Sequence, residues 1–368
     1  MLKNNGETIQ KIDRIHPYPA KFTIDLAIDY ISKYSKPGDI VYDPFAGSGT
    51  TLLGSSLLGR FSFGTDINHI AVLISEFKLC DFSSNDFVFL DNFIRDFESS
   101  WRDECETVER FSYPSIDHWF CEDSIIVLSY IKSLINTINS NNCKIFCKLV
   151  FSSIINNASN QESDTRYAAI YKPSVNKEYV AKMFVKKFNS ALELVSNFKR
   201  DSNVLKRSKV LLHDSKKCSE VIKENSVDLI LTSPPYPNTY DYYLYHKHRM
   251  NWLDFDVKYS MEKEIGSRRE FSSLKHPKEK FDNDMFEIFA ECNKLLKKDG
   301  IVVLVMGDGK ISGETYEAKS NMERICSPLG WVLIDYSYTM LDDTSKSFIQ
   351  SYRTKGKKEH IIVFKKVL

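Results

Sequence analysis

The stretch "GDIVYDPFAGSGTTLLG" (38–54) reads as a short strand that empties into a glycine loop and then a helix. Gly38 opens it. Ile40, Val41 and Tyr42 favour a pleated, buried surface, and Asp43 closes the apolar run with an acid. Gly47 and Gly49 permit a tight turn and let a ligand approach backbone N–H groups. A helix beginning near Thr50 adds its partial positive charge at the same place. "RFSFGTDI" (60–67) is a second short strand, again ended by an acid, Asp66, and "NHIAVLISEFKL" resumes helical spacing. Strand, glycine loop, helix, strand is the opening of a parallel α/β sheet.

The same pattern returns late in the chain. "SKVLLHD" (208–214) is a strand ended by Asp214, and "VDLILTSPPY" (227–236) is the next strand with its exit. "DMFEIFAECNKLLKKDG" (284–300) has helical periodicity, a basic last turn and a terminal glycine. "IVVLVMGDG" (301–309) is a buried strand. "WVLIDYSYTM" (331–340) and "EHIIVFKKV" (359–367) are late strands, the last in an antiparallel hairpin. Between about 80 and 205 the character changes. Val180, Phe184, Phe188, Leu192 and Val195 recur at helical spacing, 123–138 is helical, and "NNASNQESDTRY" (156–167) is a polar loop. This stretch reads as a mostly helical insertion.

The 368 residues, 42% of them hydrophobic, allow one large core plus a second unit. A net charge of +1 argues against a strongly basic scaffold but leaves room for local basic patches. Eight cysteines form no CxxC, so free thiols in a reducing compartment are expected and no metal. His118 and Cys121 make a poor ligand pair. "MLKNNGETIQ" lacks the apolar core of a signal peptide, and no 18-residue apolar run suggests a membrane span.

The glycine loop is neither GxxxxGK[ST] nor GxGxxG, and it offers no lysine to a terminal phosphate. A ligand carboxylate suits it better than a triphosphate. Asp43 can accept from an amine and Asp66 from a ribose diol, while Asp214 marks the ligand's base. Glycines after a strand are often only a turn; three acids at three strand ends weigh towards binding.

At "ILTSPPYPNTYDYY" (230–243), Pro234 and Pro235 stop the ladder and fix the backbone. The residue before a proline is driven to extended geometry, so Ser233 and the Pro234 carbonyl are held rigidly at the sheet's carboxyl edge. An exocyclic amine can donate to both, and Tyr236 offers a flat face. That suits a nucleobase drawn out of its stack. Asp241 either orients this loop or meets the base. In 256–280, Arg268 and Arg269 either contact phosphate or simply face solvent. "FSYPSIDHWF" (111–120) reads as packing rather than as a wedge into DNA.

Together these residues resemble the AdoMet-dependent DNA amino-methyltransferases, of the N4-cytosine or N6-adenine kind. "DPFAGSGTT" resembles the family's AdoMet loop, "TSPPY" its catalytic motif, "HPYPAKF" (16–22) the segment that closes over the methionine end, and "LLHDS" (211–215) the acidic strand end near adenine. The resemblance implies an α/β, Rossmann-like AdoMet-dependent methyltransferase fold with a mixed seven-stranded sheet. The domain would comprise 1–79 and 206–368, interrupted by the helical insertion 80–205 as candidate target reader, with 256–280 as the alternative. Lys21, Phe22, Asp43, Pro44, Phe45, Gly47, Gly49, Thr50, Asp66 and Asp214 would bind S-adenosyl-L-methionine. Ser233, Pro234, Pro235 and Tyr236 would form the catalytic pocket, and Asp241, Arg268 and Arg269 would meet nucleic acid. Serine at the first motif position implies cytosine N4, with adenine N6 as the alternative. An RNA amino-methyltransferase or an inactive binding module stand behind these. Double-stranded DNA and a restriction endonuclease sharing its site are the implied partners, in a prokaryotic cytoplasm.

Overall fold

The computed structural model describes residues 6–19, 21–198, 202–340 and 358–367. The chain divides into an α/β unit, Pro19–Ser75, Asp201–Tyr242 and Tyr259–Leu368, and a helical unit, Met1–Tyr18, Glu76–Arg200 and Tyr243–Lys258.

The α/β unit is built on seven strands: β1 (Ile40–Asp43), β2 (Phe61–Asp66), β3 (Lys209–Leu212), β4 (Val227–Thr232), β5 (Leu296–Gly307), β6 (Trp331–Met340) and β7 (Lys358–Lys366). Their spatial order is β6-β7-β5-β4-β1-β2-β3. Strands β3, β2, β1, β4 and β5 run parallel, and β7 inserts antiparallel between β5 and β6. This is the mixed sheet of the Rossmann-like methyltransferase fold, as the resemblance implied. Register fixes what the site inherits: Val41 and Tyr42 of β1 lie opposite Leu229 and Ile230 of β4, so both strands end on the same edge.

Strand β5 anchors the core. Val302 to Met306 are all fully buried, each contributing about 1.5–3 kcal/mol by leaving water. The helix Lys278–Leu295 covers one face through Phe281, Met285, Ile288, Phe289 and Cys292. It starts and ends earlier than its periodicity suggests, at Lys278 and Leu295 rather than 284 and 300. The chain leaves the helix after Leu295, and "LKKDG" (296–300) becomes the irregular start of β5. Pairing jumps from Val227↔Leu296 to Leu229↔Ile301, so residues are bulged out. Asp299 adopts φ +63°, and a side chain at Gly300 would strike Leu296 Cγ at 2.6 Å. The lysines expected to finish the helix serve elsewhere; Lys297 pairs with Asp228 at 2.7 Å.

The helical unit packs the helices Ser84–Glu104, Glu122–Asn136, Asn141–Ala158 and Lys177–Ser196. A capping box, Ser83 with Asp86, starts the first. Phe184 meets Phe97 at 5.0 Å and Phe188 meets Phe146 at 4.9 Å, on the face that helical spacing marked. Phe111 and Phe120 pack on the buried Trp252 at 5.0 and 5.6 Å, so the stretch 111–120 packs inward through its aromatic side chains, as read, while Ser112, Pro114, Ser115, Asp117 and His118 stay exposed. The expected polar loop 156–167 is different: a hairpin, Gln161–Ser163 with Arg166–Ala169, follows the helix. Its turn residue Asp164 pairs with Arg249, whose guanidinium is buried and also donates to Ser152 O at 3.1 Å. A charge buried this way needs such a partner, and the hairpin supplies it. His16 is buried here as well, bonded to Ser152 Oγ at 2.9 Å. Among the described residues no helix is long and apolar enough to cross a membrane, and no cluster of acids, histidines and cysteines is placed to hold a metal.

Candidate active site

The site grows from the two neighbouring strand exits of the α/β unit. At the β1 exit, Gly47 and Gly49 adopt φ of +49° and +73°. Gly49 caps the helix Thr50–Leu57, and a Cβ there would lie 2.6 Å from Ser75 Oγ. Ser75 Oγ in turn donates to Gly47 O at 3.0 Å, tying the loop to the next helix. Asp66, at the end of β2, accepts from Gly47 N and from Asn68 N, each at 2.8 Å. The carboxylate thus shapes the loop directly, and each oxygen keeps a further lone pair. Asp43 is buried, and its Oδ1 accepts from Phe45 N at 3.0 Å and from Thr232 Oγ1 at 2.6 Å. Burial pushes the carboxyls of both Asp43 and Asp66 up to about 6. Thr50 is buried in the first helical turn, and Phe45 packs on the core cluster. The Pro44 carbonyl accepts from Ser215 Oγ, the neighbour of Asp214. Asp214 caps the short helix after β3 and pairs with Lys263 at 3.1 Å.

The β4 exit lies alongside. The Asp43–Thr232 hydrogen bond joins the last residue of β1 to the last residue of β4, and Thr51 Oγ1 donates to Leu231 O at 3.1 Å. The two motifs, far apart in sequence, therefore leave the sheet side by side. After Thr232 come Ser233, the buried Pro234, and the partly exposed Pro235 and Tyr236. Tyr236 Oη donates to Glu359 Oε1 at 2.9 Å. Burial, then the Glu359 charge, keeps this phenol protonated well above its usual range. Its ring lies on Gly307, where a Cβ would sit 2.8 Å from Cε2; Pro237 lies on Gly309 in the same way, at 2.8 Å from Cγ. Neither these two glycines of "MGDG" (306–309) nor Glu359 was picked out from the sequence. The signal was present: two glycines at the end of a buried strand, where nothing requires a turn.

Comparison with known proteins follows the same geography. The profile of the DNA methylase family, the N6/N4 methyltransferases, matches residues 2–77 and 227–367, more than half of the chain. The chain belongs to this family. The unmatched stretch, 78–226, holds most of the helical unit and β3. Among curated relatives, the type II methyltransferase M.MvaI of Kocuria varians is 29% identical over 280 residues, which is 69% of this chain and 60% of that one. M.BsoBI of Geobacillus stearothermophilus, also a type II methyltransferase, is 26% identical over 66% of this chain and 52% of its own length. The orphan methyltransferase M.BamHII of Bacillus amyloliquefaciens is 45% identical over 65 residues. The chain thus spans a little over half the length of M.MvaI and of M.BsoBI.

A member of this family with the AdoMet-dependent methyltransferase fold, the chain carries residues whose chemistry fits that cofactor. Acids stand at the ends of β1, β2 and beyond β3, and a helix N-terminus opens at Thr50. Tyr259 feels the charges of Asp214, Lys263 and Asp66, so these groups share one neighbourhood. Lys21 and Phe22 stand before Thr23, which caps the helix Ile24–Tyr34; that helix packs on Gly54 of the glycine-loop helix through Ala27 and Ile31. Phe22 is buried, while Ala20 of the same segment lies outside the described residues. On the β4 side, Asp241 Oδ1 accepts from Arg269 N at 3.1 Å, and burial raises its carboxyl. Asp241 therefore orients the Arg268–Arg269 segment, and Asn238 N reinforces the join by donating to Gly266 O at 2.8 Å.

Proposed function

We propose that this DNA methylase transfers a methyl group from S-adenosyl-L-methionine to an exocyclic amine of a base turned out of double-stranded DNA, with cytosine N4 as the acceptor. The observation that carries the reading is the hydrogen bond of Asp43 with Thr232, which brings the glycine loop and the proline turn to one sheet edge. Bound AdoMet supplies a methyl already activated on a sulfonium. The chain's own residues have the remaining tasks. Ser233 Oγ and the Pro234 carbonyl accept the amine's hydrogens and aim its lone pair. The Tyr236 ring offers a face for the base. Asp66 and the helix start at Thr50 hold the cofactor's polar ends. Orientation and exclusion of water account for most of the barrier lowering in such a site, so no His or Cys nucleophile is required. Serine at position 233 favours cytosine over adenine, by resemblance. The helical unit, outside the family match for most of its length, is the candidate reader of sequence.

The test is tritiated methyl transfer from AdoMet to duplex DNA and to RNA, followed by nucleoside analysis. N4-methylcytosine in DNA is the expected product. N6-methyladenine would move the reading to the adenine branch, and label confined to RNA would end it.

A further inference from the structure

The stretch "GDGKISGETY" (307–316) serves the site through its two glycines, and the rest of it forms a hairpin of its own. Gly309–Ile311 pairs antiparallel with Glu314–Tyr316, with Lys310 opposite Thr315. Ser312 and Gly313 make the turn at φ of +52° and +87°, the positive values that a two-residue hairpin loop takes. Alternation gives this ribbon two faces. Gly309, Ile311 and Tyr316 share one, and Ile311 and Tyr316 are buried in the core cluster. Lys310 and Thr315 share the other, and both are exposed.

The ribbon's root is fixed. Asp308 Oδ1 accepts from Ala318 N at 2.9 Å, across the base of the hairpin, and from His360 Nε2 at 2.9 Å. Tyr316 Oη donates to Asp282 Oδ1 at 2.8 Å, and its ring meets Phe281 edge-on at 5.4 Å. Asn238, two residues past Tyr236, ties the ribbon to the proline turn: its Nδ2 donates to Lys310 O at 2.9 Å. The backbone N–H of the same residue donates to Gly266 O at 2.8 Å. One turn residue thus holds two basic segments, the ribbon with Lys310 and the stretch leading to Arg268 and Arg269. Among the described residues the Lys310 ammonium has no ion pair or hydrogen bond. The acids around it are engaged elsewhere: Asp308 as above, Asp282 with Tyr316 and Arg324, and Glu359 with Tyr236. Glu314, opposite Ile311, belongs to the other face.

We propose that the ribbon 309–316 is a DNA-backbone contact and that Lys310 neutralises a phosphate of the strand whose base is turned out to Tyr236. The proposal rests on the function given above and adds a surface through which that site meets its substrate. A base drawn from its stack stays joined to its own phosphates, so that stretch of backbone must pass groups anchored beside the pocket. A solvated surface lysine would need no such anchoring of its main chain. Thr315 places a hydroxyl on the same face, of the kind that also meets phosphate oxygens.

Three proteins test it against wild type, in equilibrium binding to duplex DNA over a range of salt: Lys310→Gln, Lys310→Arg and Lys223→Gln. The duplex carries a site that the protein methylates, or is of mixed sequence if it methylates none. Lys223 is exposed just before β4 begins, at the far end of that strand from the proline turn, and its loss removes the same charge. Lys310→Gln should make the slope of log affinity against log salt shallower by about 0.9, and weaken binding about eightfold at 0.1 M salt, which is that slope taken over one decade. Lys310→Arg should keep both, since a guanidinium meets phosphate at least as well. Lys223→Gln should alter neither. In methylation, Lys310→Gln should raise KM for DNA by a similar factor and leave kcat within about twofold, the pattern of binding lost equally from ground and transition states. A Lys310→Gln slope equal to wild type, or the same change from Lys223→Gln, overturns the proposal, as does a wild type that does not bind duplex DNA. N4-methylcytosine in DNA with an unaltered Lys310→Gln slope would keep the function and remove the ribbon. A wild type that binds duplex DNA but methylates nothing would refute the function, and the salt slopes would then decide the ribbon alone.

Discussion

The two strand exits that make the site are built on opposite plans. The β1 exit carries its own glycines, Gly47 and Gly49, both with positive φ, and satisfies its backbone from within through Asp66 and Ser75. The β4 exit has prolines instead, so it cannot bend to fit. It borrows space from elsewhere: Gly307 and Gly309, some 70 residues on, make room for Tyr236 and Pro237. One loop is adaptable and self-contained, the other rigid and fitted into a mould. The first suits the binding of a flexible cofactor; the second suits holding an amine within a fraction of an ångström.

The sharpest way to break this contrast is Gly307→Ala. Gly307 does not have the positive φ that Gly49 needs, so the added methyl acts through contact alone. It would stand 2.8 Å from Tyr236 Cε2, and the ring must move. A displacement of about 1 Å in a positioning group costs on the order of 10²-fold in rate, so kcat should fall by that much. AdoMet affinity, measured by calorimetry, should stay put. Wild-type turnover would mean that the proline turn is not moulded by β5.

A smaller effect probes the glycine side. Asp66→Asn keeps the shape but weakens the bonds from Gly47 and Asn68, charge-assisted interactions worth about 1.5–3 kcal/mol each. Part of that bonding survives, so AdoMet affinity should drop about tenfold, with the turn at Tyr236 intact. The pH dependence follows from the raised carboxyl. Unfolded, an aspartate titrates near 3.9; folded, Asp66 titrates at about 6 because burial penalises its charge. Between those values the native state holds more protons, so its stability falls as pH rises from about 4 to about 6 and then levels off. Asp66→Asn should therefore remove about half of that slope, because Asp43, whose carboxyl burial also pushes up to about 6, keeps the rest. An unchanged affinity together with an unchanged profile would remove Asp66 from the loop's support.

Legibility divided along the same line. The β1 exit could be read from its own residues, because glycine spacing and a terminal acid state their purpose locally. So could the existence of the proline turn. What surrounds the turn could not, since Glu359 and Gly307 act through pairings between distant segments. The fold was readable where strands are apolar and short. It was misread where a helical pattern, 284–300, crosses into a bulged strand, because Lys297 and Lys298 suit a helix end and a bulge equally well. It was misread again at 156–167, where a polar composition hides a hairpin whose reason is Arg249, some 85 residues away from Asp164.

The smallest expected effect concerns the outer support of the rigid exit. Asp241 receives Arg269 N and Asn238 N reaches Gly266 O, so the segment carrying Arg268 and Arg269 is fastened to the proline turn by backbone hydrogen bonds. Side-chain replacement leaves those bonds in place. Arg268→Gln with Arg269→Gln should then leave the fold and AdoMet binding in place, at some cost in Tm because both charges favour the ionised Asp241. If the two guanidiniums meet phosphates, the slope of log affinity for duplex DNA against log salt should become shallower by about 1 to 2, close to 0.9 for each phosphate no longer neutralised. The weakening should be similar for any DNA sequence, since groups that meet phosphates position a duplex without reading it. A slope identical to wild type would leave both arginines as local partners of Asp241 and confine the rigid exit's role to the base itself.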